Sequence, residues 1–303
     1  MNRSTTLASG LGLGTTSALA ALVLLAAGAA RAQAQPADDT ESSEAADDEL
    51  PTPTAASSET KTAVVQTDRM TLPKGSVLIT VDLAINLSKG AAGKPISLAP
   101  DVWYGATDKL SLGLVHSTRG AYGLVGVAGD SLCLTGKTKG CAKVYDSVGV
   151  DARYHVHETP GNGVGVALDG GLLAGSFDPF LLALKVGGIV HLRSDQAAVD
   201  IAPAVTIGIT ERDAGNKEFF SLPVSFHYSA TPKVALSAQT GVVTPFENAA
   251  DLFTVPLSLG ASFAVSPKAF IGASFTLSAL VGGKAIADGF DQRTFTLGGG
   301  YAL

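Results

Sequence analysis

Val77-Leu78-Ile79-Thr80-Val81-Asp82-Leu83-Ala84-Ile85-Asn86-Leu87 alternates large apolar residues with small or polar ones. A period of two sets Val77, Ile79, Val81, Leu83, Ile85 and Leu87 on one face of a strand, and Leu78, Thr80, Asp82, Ala84 and Asn86 on the other. The same rhythm returns up to Leu303, broken by Gly, Pro, Asn and Asp. It predicts twelve strands, near 76–87, 96–105, 110–117, 143–156, 163–174, 179–193, 197–209, 219–229, 233–243, 254–265, 268–280 and 293–303. From the second strand on, short and longer connections alternate, and residues 118–142 form the longest. The predicted fold is all-β, a transmembrane antiparallel up-and-down β-barrel of about 12 strands, with both ends of the chain at one mouth.

Composition agrees. The 303 residues are 46% apolar but only 16% charged, against roughly 25% charged in an average soluble domain. A soluble barrel would need an outer face rich in Lys and Glu. Here the polar face is mostly Gly, Ala, Ser and Thr. The long apolar run is N-terminal: Ala18 to Ala30, followed by Ala-x-Ala patterns at Ala30-Arg31-Ala32 and Ala32-Gln33-Ala34. This predicts a signal peptide over 1–32, with cleavage after Ala32 or Ala34.

Residues 33–75 differ from the rest. Asp38, Asp39, Glu41, Glu44, Asp47, Asp48, Glu49 and Glu59 stand among Ala, Ser, Thr and Pro. Such a segment buries too little apolar surface to offset its ordering entropy, which predicts a disordered acidic tail. Of 21 basic and 27 acidic residues, removing Arg3, Arg31 and those eight acids leaves 19 of each sign from residue 61 onward. The chain from residue 61 onward, which contains the barrel at 76–303, is therefore neutral overall. Its charge argues neither for nucleic acid as a partner nor for a strongly ion-selective pore.

On the apolar face, Tyr104, Tyr154, Tyr228, Phe263 and Tyr301 fall near one set of strand ends, and Phe180, Phe220 and Phe295 near the other. Two aromatic girdles belong where ring side chains meet lipid headgroups. The chain resembles bacterial outer-membrane β-barrel proteins, porin-like as a class, over residues 76–303. Its end, Arg293-Thr294-Phe295-Thr296-Leu297-Gly298-Gly299-Gly300-Tyr301-Ala302-Leu303, is similar to the last-strand assembly signal of that class, although Leu303 stands where Phe or Trp is usual. The resemblance implies a bacterial outer-membrane location with the tail in the periplasm. It also implies contact with outer-membrane lipid and lipopolysaccharide, and insertion by the outer-membrane assembly machinery.

If the apolar face meets lipid, the other face lines the lumen. Asp82, Asp101, Asp151, Arg153, Asp169, Lys185, Arg193 and Asp200 all have lumen parity, as do His155, His191 and His227. They are the candidate pore lining, or else ion pairs that brace a closed interior. Trp103, Tyr145 and Phe270 share that parity and are candidates for a constriction. Cys133 and Cys141 lie in one predicted loop and, in an exported protein, read as a disulfide. That loop, with Arg119, Lys137 and Lys139, reads either as ordinary solvated chain or as a basic element over the pore or against lipopolysaccharide.

Other motifs carry less. His155-x-His157 lies beside Glu158, but no metal is expected there, and no cofactor either. His116 and Ser117 are adjacent, so their side chains diverge, and no Gly-x-Ser-x-Gly elbow is present. Gly298-Gly299-Gly300 in a strand suggests curvature. The expected function is passive passage of small hydrophilic solutes. The alternatives are a non-conducting structural or binding barrel and, behind both, a lipid-acting membrane hydrolase.

Overall fold

A computed structural model describes residues 70–303 apart from 125–127, 130, 160–162 and 287–288. The predicted signal peptide and residues 33–69 lie outside the described residues. The strands are β1 (Val77–Asn86), β2 (Ile96–Thr107), β3 (Leu110–Val115), β4 (Ser131–Cys133), β5 (Tyr145–Asp146), β6 (Val148–Glu158), β7 (Val164–Phe177), β8 (Phe180–Arg193), β9 (Ala197–Ile201), β10 (Ala204–Gly208), β11 (Phe219–Thr231), β12 (Val234–Pro245), β13 (Thr254–Ser266), β14 (Ala269–Gly282) and β15 (Arg293–Ala302). All pair antiparallel in one sheet, and β1 pairs with both β2 and β15, which closes the ring. Closure leaves the wall with no unpaired edge.

Twelve strands make the barrel, because β9 and β10 are two halves of one crossing, both paired with β8 and β11. Pro203 lies at the break, lacking the N–H that a ladder needs. β4 and β5 are additional. They pair with each other, and β4 pairs with the long-loop end of β2, beyond the reach of the short β3. The predicted strand 143–156 is thus two pieces, divided at Ser147, whose φ is +56°.

The apolar face points outward. Ile79, Val81, Leu112, Leu114, Val150, Leu168, Leu259 and Ile271 are exposed, as a lipid-facing surface requires. Tyr104, Tyr154, Tyr228, Phe263 and Tyr301 are exposed around the mouth that carries the short turns. The inward face is small and hydroxylic: Ser97, Ser111, Thr206, Ser221, Ser258, Ser274, Thr276, Thr294 and Thr296 are all buried.

Both ends of the barrel chain meet at the short-turn mouth, where Leu303 donates its N–H to the Val77 carbonyl at 2.8 Å. Residues 70–75, the end of the predicted tail, are ordered against that mouth. The Leu72 N–H donates to Ser111 Oγ at 2.7 Å, Thr71 Oγ1 donates to the Asp108 carbonyl at 3.2 Å, and Thr71 is buried. These contacts belong to the last residues of the stretch expected to be tail, 33–75. Leu72 finds an apolar seat inside the barrel that composition alone does not reveal.

Candidate functional site

The lumen is crossed at mid-height by part of the longest loop. After β3 the chain turns inward, and Thr118–Tyr122 forms a short helix, α1, capped by Ser117 and ended by Gly123 in the left-handed region. Asp101, on β2, holds the turn. One of its carboxylate oxygens accepts the backbone N–H of His116 at 2.6 Å and of Ser117 at 2.9 Å, and the other accepts the Ser117 hydroxyl. Hydrogen bonds to a carboxylate are about twice as strong as neutral ones. At the far side, Gln239 on β12 donates Nε2 to the Gly123 carbonyl at 2.7 Å, and Tyr122 packs on Phe219 with ring centroids 5.6 Å apart. The segment is therefore tied to two well-separated parts of the wall.

Arg119 projects from α1 into the remaining space. Its Nε stands 4.0 Å from Asp82 on β1 and makes no hydrogen bond among the described residues. Two cavities border it. One, of about 140 Å³, is bounded by Met70, Thr71 and Leu72 together with Trp103, Ser111 and Arg153. The other, of about 90 Å³, runs past Asp82, His227, Ser262, Phe270 and Thr296. Thr80, Asp101 and Arg119 border both.

The remaining predicted lining residues are paired. Lys185 donates to Asp151 at 2.6 Å and lies 2.9 Å from Asp169, and both Lys185 and Asp151 are buried. Arg153 Nε is 3.5 Å from Asp169, and its guanidinium lies 4.2 Å from the centroid of the Trp103 ring. Asp200 is shared by His191, at 2.6 Å, and His227, at 3.5 Å. Arg193 meets Glu158 at 3.5 Å, and His155 lies 3.7 Å from the same carboxylate. All eight predicted charges thus fall within three clusters and the Asp82–Asp101–Arg119 group. Among the described residues, no group of three or more His, Cys, Asp or Glu could hold a metal ion.

Of the three candidate constriction residues, two face inward. Trp103 and Phe270 are buried and pack around Leu78. Tyr145 does not line the lumen. It sits on β5 and stacks on Phe177, with centroids 5.5 Å apart and planes 14° apart, and its hydroxyl meets His116 Nε2 at 3.0 Å. The parity that placed it inside counts through Ser147, where the strand breaks. Cys133 and Cys141 are bonded and close the hairpin beyond β4.

The Ser117 hydroxyl serves Asp101, and the His116 ring contacts the Pro100 carbonyl and Tyr145, so no Ser–His couple forms there. Outside the membrane span, Arg212 hydrogen-bonds Glu218 and holds its carboxyl below the usual carboxylate range.

Sequence reasoning missed the inward course of 116–123, the second anchor at Gln239, and Arg119 as the charge that faces Asp82. A local signal was present: Ser117 and Gly123 stand six residues apart, the spacing of a helix cap and a left-handed stop around one short turn.

Solved structures share this architecture. A structure described as the NanC porin overlaps 74% of this chain and 100% of its own, with a TM-score of 0.51 at 8% identity. The fold is that of a bacterial outer-membrane β-barrel. A KdgM porin in complex with disordered oligogalacturonate overlaps 75% of this chain and 99% of its own, at a TM-score of 0.48 and 8% identity. Omp33 of Acinetobacter baumannii overlaps 76% and 99%, at 0.39 and 11%. At these identities the likeness concerns fold, and only the NanC overlap is close enough to bear on it. No protein-family model and no curated protein matches the sequence.

Proposed function

We propose that the protein is a passive pore for small hydrophilic solutes in the bacterial outer membrane, narrowed at mid-height by residues 116–123. The observation that carries this reading is Arg119, held on an anchored segment inside a polar lumen and facing Asp82 across space that two cavities share. Opposed charges at a narrow point orient water and screen solutes by size and dipole while repelling neither ion sign outright. In this reading the short turns and the tail face the periplasm. The long loops face outward, where the exposed Lys137 and Lys139 on the disulfide-closed hairpin would meet lipopolysaccharide phosphates.

The test is single-channel conductance of refolded residues 35–303 in a planar bilayer under a salt gradient. Stepwise ohmic openings are expected, with a weak cation preference in the reversal potential, because the inward groups described above are six carboxylates against four Lys and Arg. Arg119→Ala should raise the conductance and shift the reversal potential further toward cation preference.

A second reading, a non-conducting structural or binding barrel, is favoured by the paired Asp151–Lys185–Asp169–Arg153 cluster and by the small size of the cavities. A folded, inserted protein that never conducts would establish it over the pore.

A further inference from the structure

We propose that residues 70–74 are a strap that seals the short-turn mouth of the lumen, and that withdrawing it opens the chamber beneath α1; the transport consequence rests on the pore reading above. Three observations meet here. The first is position. Met70 reaches inside the wall to Gly165, where a Cβ built on that glycine would lie 2.5 Å from the Met70 methyl carbon. Pro73 lies against Gly105 on β2, so the segment runs beneath β2, β3 and β7.

The second is burial. Ser111, on the inward face of β3, is 2% exposed, and Thr71 is 6% exposed. Where the strap lies against it, the polar wall at Ser111 is shut off from solvent. Met70, Thr71 and Leu72 line the 140 Å³ cavity together with Gly120 and Arg119 of α1. That cavity is a chamber between strap and α1.

The third is how lightly the strap is held. Among the described residues, its ties to the barrel are the hydrogen bonds of Thr71 to the Asp108 carbonyl, of the Leu72 N–H to Ser111, and of the Lys74 N–H to the Asp108 carboxylate, with Leu72 packed on the buried cluster that includes Leu78 and Trp103 and Met70 set against Gly165. The wall strands are held by continuous ladders. A segment with few apolar contacts and few hydrogen bonds opens long before the elements it rests on. Removing the apolar anchors Met70 and Leu72 therefore releases the strap and leaves the barrel closed.

The experiment uses residues 35–303, refolded into vesicles, with Thr80→Cys as a reporter inside the lumen. The parent is compared with Met70→Ser/Leu72→Ser and with Leu72→Ser alone, each checked for the heat-modifiable folded band. A charged methanethiosulfonate reagent should label residue 80 about tenfold faster in the double variant, with the single variant between, as expected when a minor open state becomes common. Conductance should rise in the same order. Equal labelling rates in all three folded proteins overturn the strap, whatever the conductance. Faster labelling without current in any of them supports the strap and sinks the pore reading instead.

Discussion

Phe270 lies across Gly300 of the neighbouring strand, where a Cβ would come within 2.4 Å of its ring. The same arrangement recurs inside the barrel. Trp103 covers Gly113, at 2.8 Å from such a Cβ, and the Asp82 carboxylate sits at 2.4 Å over Gly298. Each of these three glycines is a socket for a large or charged side chain opposite it, which is a more specific role for Gly298 and Gly300 than strand curvature. Gly300→Val should cost about 1–3 kcal/mol by forcing the Phe270 ring out of place. Gly175→Ala, where the nearest atom is 3.9 Å away, should leave the urea unfolding midpoint unchanged. At Lys185, replacement by Met leaves Asp151 and Asp169 without their shared cation, a loss of about 3–5 kcal/mol for a buried pair. Adding Asp151→Asn should recover part of that loss in the same urea titration.

At the scale of elements, the inward segment depends on anchors distant in sequence. Asp101 precedes Ser117 by 16 residues, and Gln239 follows Gly123 by 116. Asp101→Ala removes three hydrogen bonds at one end and should free 116–123, raising both mean conductance and current noise in single-channel records. Gln239→Ala releases the other end and should give the noise with a smaller change in mean current. A silent phenotype in both would mean that the segment is held by the packing of Tyr122 on Phe219 instead. The disulfide hairpin beyond β4 stands apart from these anchors.

At the scale of the molecule, lipid is the outer solvent, and the burial pattern is inverted relative to a soluble barrel. Val150 is 60% exposed while its neighbour Asp151 is 0% exposed. Val150→Arg should therefore destabilise the inserted barrel by about 2–4 kcal/mol at mid-depth, read as a lower urea midpoint or loss of the heat-modifiable band. The sequence by itself determined the twelve crossings, which face of each meets lipid and which residues face inward. Those properties rest on a period of two and on turn residues a few positions apart, so they are written locally. Even there, a single left-handed residue, Ser147, was enough to put Tyr145 on the wrong side of the count. Only the tertiary structure decided that 116–123 turns into the lumen, that residues 70–74 cover one mouth and that the inward charges pair as they do. Those choices depend on Asp101, Gln239, Ser111 and His191 being brought together by ring closure, and no local pattern records which distant strands a closed barrel will make face one another.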